Sequence, residues 1–217
     1  MAELAYKLNL KITMKKVLKL LLLIVIVLLG WVVYRQFATP MEFTRTRKQR
    51  EAAVIERLKD IRTAQRAYKQ EHQRYTPSFD TLIRFILNDS LEYIRAIGSE
   101  DDSVAVARGL TKMEKFKMAV KDTIYSGRGF TTEDIEALEI IPYSNGQKFI
   151  MDAGNLQTES KVVVNVFEAK APYKTFLGDL DQQELINLID ERKSLEKYPG
   201  LRVGSMTEAT NDAGNWE

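Results

Sequence analysis

The feature that most constrains this chain is an apolar segment near its N-terminus. Residues 20–29 are an unbroken run of leucine, isoleucine and valine, and no charged residue occurs in residues 20–34. With its flanks the segment covers residues 17–38, close to the ~20 residues that a helix needs to cross a bilayer. Trp31 and Tyr34 lie where interfacial aromatic residues are found. The sequence therefore predicts a transmembrane helix, because a buried helix of a soluble protein would need a partner on every face.

The flanks of the segment bear on its processing and orientation. The exit at residues 34–40 offers no small-x-small cleavage site, which favours an uncleaved anchor over a secretory signal peptide. Met14 is followed by two lysines, as is typical of a natural start, so residues 1–13 are interpreted as an upstream extension that is not translated. We assign residues 1–16 to a basic cytoplasmic N-terminus. Cationic residues occur equally on both sides of the segment, so the positive-inside rule does not fix its orientation.

The composition bounds the classes of function. The chain has 217 residues and a formal net charge of +2, which is too small to indicate a nucleic-acid-binding protein from bulk charge. It has no cysteine, so neither a disulfide framework nor a cysteine-based zinc site is available. His72 is the single histidine, which excludes an imidazole-rich metal site within one chain. The part beyond the anchor is long enough for one soluble domain with its own core.

An amphipathic helix is predicted after the anchor. Pro40 is expected to interrupt any helix that leaves the membrane, so residues 39–52 are predicted to be a juxtamembrane linker and residues 53–217 the soluble domain. Beyond the linker, residues at alternating spacings of four and three form one helical face: Val54, Leu58, Ile61, Gln65 and Tyr68. This stripe must be covered, either by the chain's own sheet or by a partner protein, and we assign it as the partner-facing surface.

A basic cluster precedes this stripe. It consists of Arg45, Arg47, Lys48 and Arg50. Next to a membrane these residues either form a solvated flank or contact an anionic surface such as phospholipid head groups or nucleic acid. Together with Arg57, Lys59 and Arg62 they would give a binding module for DNA or another anionic polymer, whose binding would depend on salt.

A further motif lies at the end of the amphipathic helix. Residues 61–76 read Ile-Arg-Thr-Ala-Gln-Arg-Ala-Tyr-Lys-Gln-Glu-His-Gln-Arg-Tyr-Thr, and residues 77–82 read Pro-Ser-Phe-Asp-Thr-Leu. This Ala-Gln-x-x-Tyr stretch, followed by a Tyr-Thr loop and a short group ending in leucine, resembles the end of the long N-terminal helix in type IV pilins and type II secretion pseudopilins. The order of parts is also similar: a basic start, an apolar helix, an amphipathic helix and a β-rich head.

The resemblance implies a pilin-like head on the outer, periplasmic side of the inner membrane, in contact with other envelope proteins or copies of itself. The chain departs from the family in two respects. It lacks the processing site in which glycine precedes Phe-Thr-Leu-x-Glu, and no acidic residue lies in the apolar segment. The resemblance therefore does not imply a processed, polymerising pilin.

The head is predicted to be an α+β domain in which an antiparallel sheet packs on the long helix, since no βαβ alternation occurs. Helices are predicted over Phe79–Leu87, after the capping sequence at Thr131–Asp134, and over Asp179–Lys193. Strands are predicted over Leu91–Ile97, Phe116–Val120, Lys161–Ala169 and Leu201–Gly204. Asn145-Gly146 predicts a hairpin turn, and Phe149–Ala153 is expected to pair with the valine-rich strand through a turn at Gly154-Asn155. Trp216 is expected to pack back onto the head.

The sequence carries no pattern that indicates catalysis. Residues 126–129 read Ser-Gly-Arg-Gly, without the lysine and hydroxyl residue of a nucleotide-binding loop, and no Gly-x-Ser-x-Gly elbow occurs. Two acidic groups, Glu100-Asp101-Asp102 and Asp179 with Asp181, are either solvated turns or ligands of a structural calcium ion. We predict no enzyme activity and no cofactor.

These observations lead to one prediction and one alternative. The prediction is a single-pass, membrane-anchored, pilin-like structural or assembly component of the cell envelope that acts through protein–protein contacts. The alternative is a membrane-tethered binding module for DNA or another anionic polymer.

Overall fold

One long helix carries the apolar segment and continues into the head. Helix α1 spans Ala2–His72 and contains 71 residues. The computed structural model describes the backbone of residues 2–97 and 112–217 and the side chains of residues 15–34, 40–93 and 115–217. The chain divides into two compact units, residues 1–48 and 49–217, and the boundary between them falls inside α1.

The predicted interruption at Pro40 is wrong. Pro40 lies inside α1, and residues 39–52, which were predicted to be a linker, are helical throughout. Proline has no N–H group and its ring crowds the carbonyl four residues earlier, so it weakens a helix at one turn. Propagation through the long helical stretches on both sides offsets that local loss, since each added residue gains a hydrogen bond once the helix exists.

The elements after α1 are short helices and strands. Their bounds are α2 Phe79–Asn88, β1 Ser90–Ile97, β2 Lys112–Ala119, α3 Val120–Ile124, α4 Thr132–Glu136, a 3-10 turn Ala137–Glu139, β3 Ile150–Gln157, β4 Val163–Pro172, α5 Tyr173–Leu177, α6 Gln182–Ser194 and β5 Gly200–Gly204. The described part of the chain is therefore an α+β protein with a long apolar N-terminal helix and small antiparallel sheets.

Two antiparallel sheets form in the head. Strands β1 and β2 make a two-stranded hairpin in which Tyr93 lies opposite Phe116. The second sheet has the order β3-β4-β5, so that β4 is central and the other two are edge strands. In it, Ala153 lies opposite Phe167 and Ala169 lies opposite Val203. Phe167, Ala169 and Val203 have no exposed surface, which places the core on their face of the sheet.

The starts of three helices are set by capping side chains, of which the sequence predicted the one at Thr131–Asp134. The Ser78 hydroxyl accepts from the N–H of Thr81 and caps α2. Thr131 and Asp134 form a reciprocal capping box at the start of α4. The Asp181 carboxylate accepts from the N–H of Glu184 at 3.0 Å and caps α6.

Two predicted turns behave differently. Asn145 and Gly146 both have positive φ, +53° and +85°, and form the turn as predicted, but their flanks pair only through a single bridge between Ile140 and Lys148. The turn predicted at Gly154-Asn155 is wrong: both residues lie inside β3, and the chain reverses at residues 158–162 instead. A Cβ atom at Gly154 would lie 3.2 Å from the Met206 methyl group. The glycine therefore allows Met206 to pack closely on the strand and does not make a turn.

The C-terminal segment, residues 207–217, packs on the free edge of β5. The N–H of Gly204 donates to the carbonyl of Ala213 and the N–H of Asn215 donates to the carbonyl of Arg202, both at 3.0 Å. The Asn215 amide also donates to the carbonyl of Gly200 at 2.9 Å. Trp216 is half-buried, as the sequence predicted. The segment therefore satisfies backbone groups of β5 that the sheet leaves unpaired.

Candidate functional site

The residues predicted to face a partner are buried inside the head. Val54, Leu58, Ile61 and Gln65 are 0% exposed and Tyr68 is 6% exposed. Gln65 contacts the sheet directly, because its Nε2 lies 3.2 Å from Sδ of Met151 on β3. The stripe is thus covered by the chain's own domain, and its assignment as a partner-facing surface is wrong. A periodic apolar face requires a cover but does not say which surface supplies it.

Gln65 makes the contact that fixes the end of α1 to the loop that follows. Its side-chain Nε2 donates to the carbonyl of Thr76 at 2.6 Å, and its Oε1 accepts from the N–H of Thr76 at 3.1 Å. Both residues are buried. The Gln65 side-chain amide therefore satisfies both the N–H and the carbonyl of Thr76, which would otherwise be buried without hydrogen bonds. Gln65 belongs to the Ala-Gln-x-x-Tyr stretch that carries the resemblance to pilins.

Arg50 of the predicted basic cluster makes its contacts within the head. Its two Nη atoms donate to the carboxylate of Asp179 at 2.5 and 2.7 Å, and Nη1 also donates to the carbonyl of Phe176 at 2.7 Å. The hydrogen bond from Arg50 lowers the pKa of Asp179. Arg50 also lies 5.2 Å from the centre of the Tyr143 ring. Of the other members of the cluster, Arg45 and Lys48 are exposed and Arg47 is half-buried.

The cations that were expected to extend an anionic-polymer site have partners within the chain. Arg57 donates to the carbonyl of Asp134 at 3.1 Å. Lys59 pairs with Glu56 one turn earlier, and Arg62 pairs with Glu217 at 2.7 Å. Local pairing with acidic groups offsets the positive potential that a polyanion would require, so these contacts favour a structural role.

The C-terminal segment is fastened to α1 by a second polar cluster. The Tyr75 hydroxyl donates to both carboxylate oxygens of Asp212, at 3.0 and 2.9 Å, and Nε of Arg66 donates to the same carboxylate at 3.0 Å. Burial, together with the hydrogen bond to Asp212, raises the pKa of Tyr75. Arg66 and Arg62 also donate to backbone carbonyls of Asn211 and Asp212. We call this set of contacts the tail latch.

Asp60 is a buried acid on α1, with 4% of its surface exposed. Arg128 pairs with its carboxylate, and the Tyr125 hydroxyl donates to its backbone carbonyl at 3.1 Å. Gly127 and Gly129 on either side of Arg128 have φ of +80° and +63°, a conformation that other residues rarely adopt. The glycines therefore let the loop direct Arg128 back to α1. Burial raises the pKa of Asp60 and outweighs the attraction to Arg128.

The raised pKa of Asp60 predicts a dependence of stability on pH. Because its pKa in the folded chain lies above the ordinary value of 3.8, its stabilising contribution is full below that value and is lost as pH rises through the folded pKa. We expect the free energy of unfolding of the wild type, relative to Asp60→Asn, to fall as pH rises above about 4. Urea unfolding of both full-length proteins in detergent measures this difference.

Asp179→Asn is the matched control with the opposite sign. Arg50 lowers the pKa of Asp179, so the stability that this carboxylate contributes is present above its ordinary pKa and is lost as pH falls through the folded value. The wild type should therefore gain stability relative to Asp179→Asn as pH rises. The same direction of change in both comparisons would contradict the environment described for Asp60.

The histidine and the acidic residues that the sequence singled out make contacts within the fold. His72 is exposed and its ring lies 4.2 Å from the Tyr68 ring and 5.6 Å from the Phe85 ring, centre to centre. The Asp179 carboxylate pairs with Arg50, and the Asp181 carboxylate caps α6. In the part of the chain whose side chains are described, no group of three or more acidic or histidine residues is placed to hold a metal ion. Glu100-Asp101-Asp102 lies outside the described residues.

The described part of the apolar segment, residues 17–34, is exposed. Lys15–Tyr34 is long and apolar enough to cross a membrane, and none of its residues is buried within the protein. By length and composition it is compatible with a single-pass anchor or a signal sequence. No protein-family model matches the chain, and no curated protein or solved structure matches it.

Proposed function

We propose that this protein is a single-pass, membrane-anchored, pilin-like structural or assembly component of the cell envelope that acts through protein–protein contacts. The observation that carries the proposal is that one helix holds both an exposed apolar segment, Lys15–Tyr34, and the buried stripe of an α+β head. Leaving one large apolar side chain in water costs about 1.5–3 kcal/mol. A run of such side chains needs an apolar environment, and a bilayer provides it.

The pilin-like assignment is supported by how the head is held on its helix. Gln65 and Tyr68, the residues of the Ala-Gln-x-x-Tyr stretch, are buried where α1 meets the loop to α2. The sheet that contacts this helix is antiparallel, and its strands follow α1 in the chain. By analogy with pilins, the head lies on the periplasmic side of the inner membrane.

The structural role is supported by the way the head uses its polar groups. Arg50, Arg62, Arg66 and Asp60 all take part in contacts within the chain. Asp179 and Asp181, which the sequence offered as metal ligands, stabilise the fold instead. These side chains connect elements of the head to one another. Contacts with other proteins would therefore be made by the outer surface of the head.

The test is the topology of the head. The chain has no cysteine, so a single introduced cysteine reports its own accessibility to a membrane-impermeant thiol reagent. Ser126 is exposed at a loop tip, whereas Ser205 is only 1% exposed. We expect Ser126→Cys to be labelled on intact spheroplasts and to remain with the membrane during alkaline extraction.

Ser205→Cys is the control for folding, and it should react only after denaturation. Protection of Ser126→Cys that disappears on lysis would place the head in the cytoplasm and overturn the proposal. Release of the unmodified protein by alkaline extraction would likewise contradict the anchor.

A further inference from the structure

The two edges of the three-stranded sheet are treated differently by the chain. The edge of β5 is covered by the C-terminal segment, through the bridge between Val203 and Gly214 and the hydrogen bonds described above. The outer edge of β3 has no such cover: its backbone groups make no hydrogen bond to any described residue other than those of β4. Natural sheets seldom leave an edge open without a proline, a lysine or a bulge to block pairing.

The sequence of β3 contains few blocking residues. It reads Ile-Met-Asp-Ala-Gly-Asn-Leu-Gln, with no proline or cation and with Asp152 as its one charge. Ile150 is 50% exposed and adds an apolar side chain to this edge. An edge with unpaired backbone groups and an exposed apolar side chain is suited to accept another extended strand.

We infer that the outer edge of β3 pairs antiparallel with the same edge of a second copy of this chain, about a twofold axis through Ala153. In this register Ile150 of one copy lies opposite Leu156 of the other, and Asp152 lies opposite Gly154. Apolar side chains then meet directly across the interface, and each carboxylate faces a residue without a side chain. The two copies form one continuous sheet.

Neighbouring registers are worse for reasons of charge and polarity. A twofold axis perpendicular to the sheet pairs only residues that lie on the same face of the sheet. The axis must therefore pass through a residue of β3, and the neighbouring registers place it one residue earlier or later. An axis through Asp152 would place two carboxylates opposite each other. An axis through Gly154 would place Asp152 opposite Leu156. The register through Ala153 therefore fits this strand best.

The ends of the paired segment also carry opposite charges. Lys148 lies just before β3 and Glu159 lies just after it, and both side chains are exposed. In the antiparallel arrangement the Lys148 end of one copy meets the Glu159 end of the other. Lys148 already pairs with Glu139 of its own chain at 2.8 Å, so a second carboxylate would join an existing ion pair.

This inference rests on the proposed function in naming a second copy as the protein partner. The two fail separately, because the topology of the head is measured on Ser126→Cys and the pairing is measured on Ala153→Cys. A monomeric head on the periplasmic side would leave the proposed function intact and remove only the pairing.

The test is disulfide trapping in the full-length chain, purified in detergent. Paired residues at the axis of an antiparallel ladder have Cα atoms about 4.5–5.5 Å apart, within the range of a disulfide. We expect mild oxidation to shift Ala153→Cys from monomer to dimer on a non-reducing gel, with the shift reversed by a reductant. Ser126→Cys, exposed elsewhere on the head, is the control for random collision and should stay monomeric.

A charge exchange across the interface tests the register. Glutamate is introduced at position 150, where Lys170 of β4 lies opposite it in the same chain, and position 156 is then varied. In the Ala153→Cys background, Ile150→Glu with Leu156→Glu places like charges across the axis and should lose the dimer. Ile150→Glu with Leu156→Lys places opposite charges there and should restore it.

The two charge variants differ at one position, so similar thermal unfolding of both shows that loss of the dimer is not loss of the fold. Equal trapping of these two variants would overturn the register. Trapping of Ala153→Cys no greater than that of Ser126→Cys would overturn the pairing.

Discussion

Replacing Gln65 with leucine is expected to lower the free energy of unfolding of the head by about 2–4 kcal/mol. Leucine fills a similar volume but makes neither hydrogen bond to Thr76, so a buried N–H and a buried carbonyl lose their partner together. Each unsatisfied buried group costs about 1–3 kcal/mol, which exceeds the gain from burying a more apolar side chain. The measurement is urea unfolding of the full-length chain in detergent, followed by circular dichroism.

Gln70→Leu is the control on the same helix, because Gln70 is exposed and its substitution should change stability by less than about 0.5 kcal/mol. Gln65→Glu adds a graded case: it keeps an acceptor for the Thr76 N–H but loses the donor to the carbonyl. Its stability should be no greater than that of the wild type. A Gln65→Leu variant as stable as Gln70→Leu would show that the Thr76 backbone is satisfied in another way.

Replacing Asp212 with alanine is expected to open the tail latch. The Asp212 side chain is only 11% exposed, and it accepts from Tyr75 and Arg66. Its removal leaves a buried hydroxyl without its acceptor and should cost about 1.5–3 kcal/mol. We expect local detachment before global unfolding, with Trp216 moving from its half-buried position into water.

Trp216 fluorescence measures this detachment directly. The chain has two tryptophans, so Trp31→Phe leaves Trp216 as the only tryptophan. In that background Asp212→Ala should shift the emission to longer wavelength at urea concentrations that leave the circular dichroism unchanged. Glu208→Ala, which removes an exposed acid from the same segment, is the control and should leave the emission unchanged. An unshifted spectrum for Asp212→Ala would mean that the segment is held without the latch.

Local sequence patterns predicted most of the helices and strands. The spacing of Val54, Leu58 and Ile61 gave the buried face of α1, because a helix core requires that period. The capping sequence at Thr131–Asp134 gave the start of α4, since these side chains act on backbone groups within three residues. Such signals involve residues that are close in sequence, so they can be recognised without knowledge of the fold.

The errors arise where distant residues decide the outcome. Gly154-Asn155 is a good turn sequence, but pairing with β4 and the cover of Met206 keep it extended. The partners of Arg62 and Arg66 lie about 150 residues away in the chain, and no local pattern links them. The stripe of α1 predicted a cover correctly, but only the packed head identifies that cover as the chain itself.

The contacts between α1 and the C-terminal segment also bear on when the head can finish folding during synthesis. Arg62 and Tyr75 leave the ribosome early, yet their partners Glu217 and Asp212 follow 155 and 137 residues later. Contacts between positions so far apart form late and slow the folding of a domain. Until residues 207–217 emerge, the edge of β5 stays uncovered and the head remains unlocked. On the proposed periplasmic location, this order leaves the head open while the chain is translocated, and the head closes once residues 207–217 have arrived.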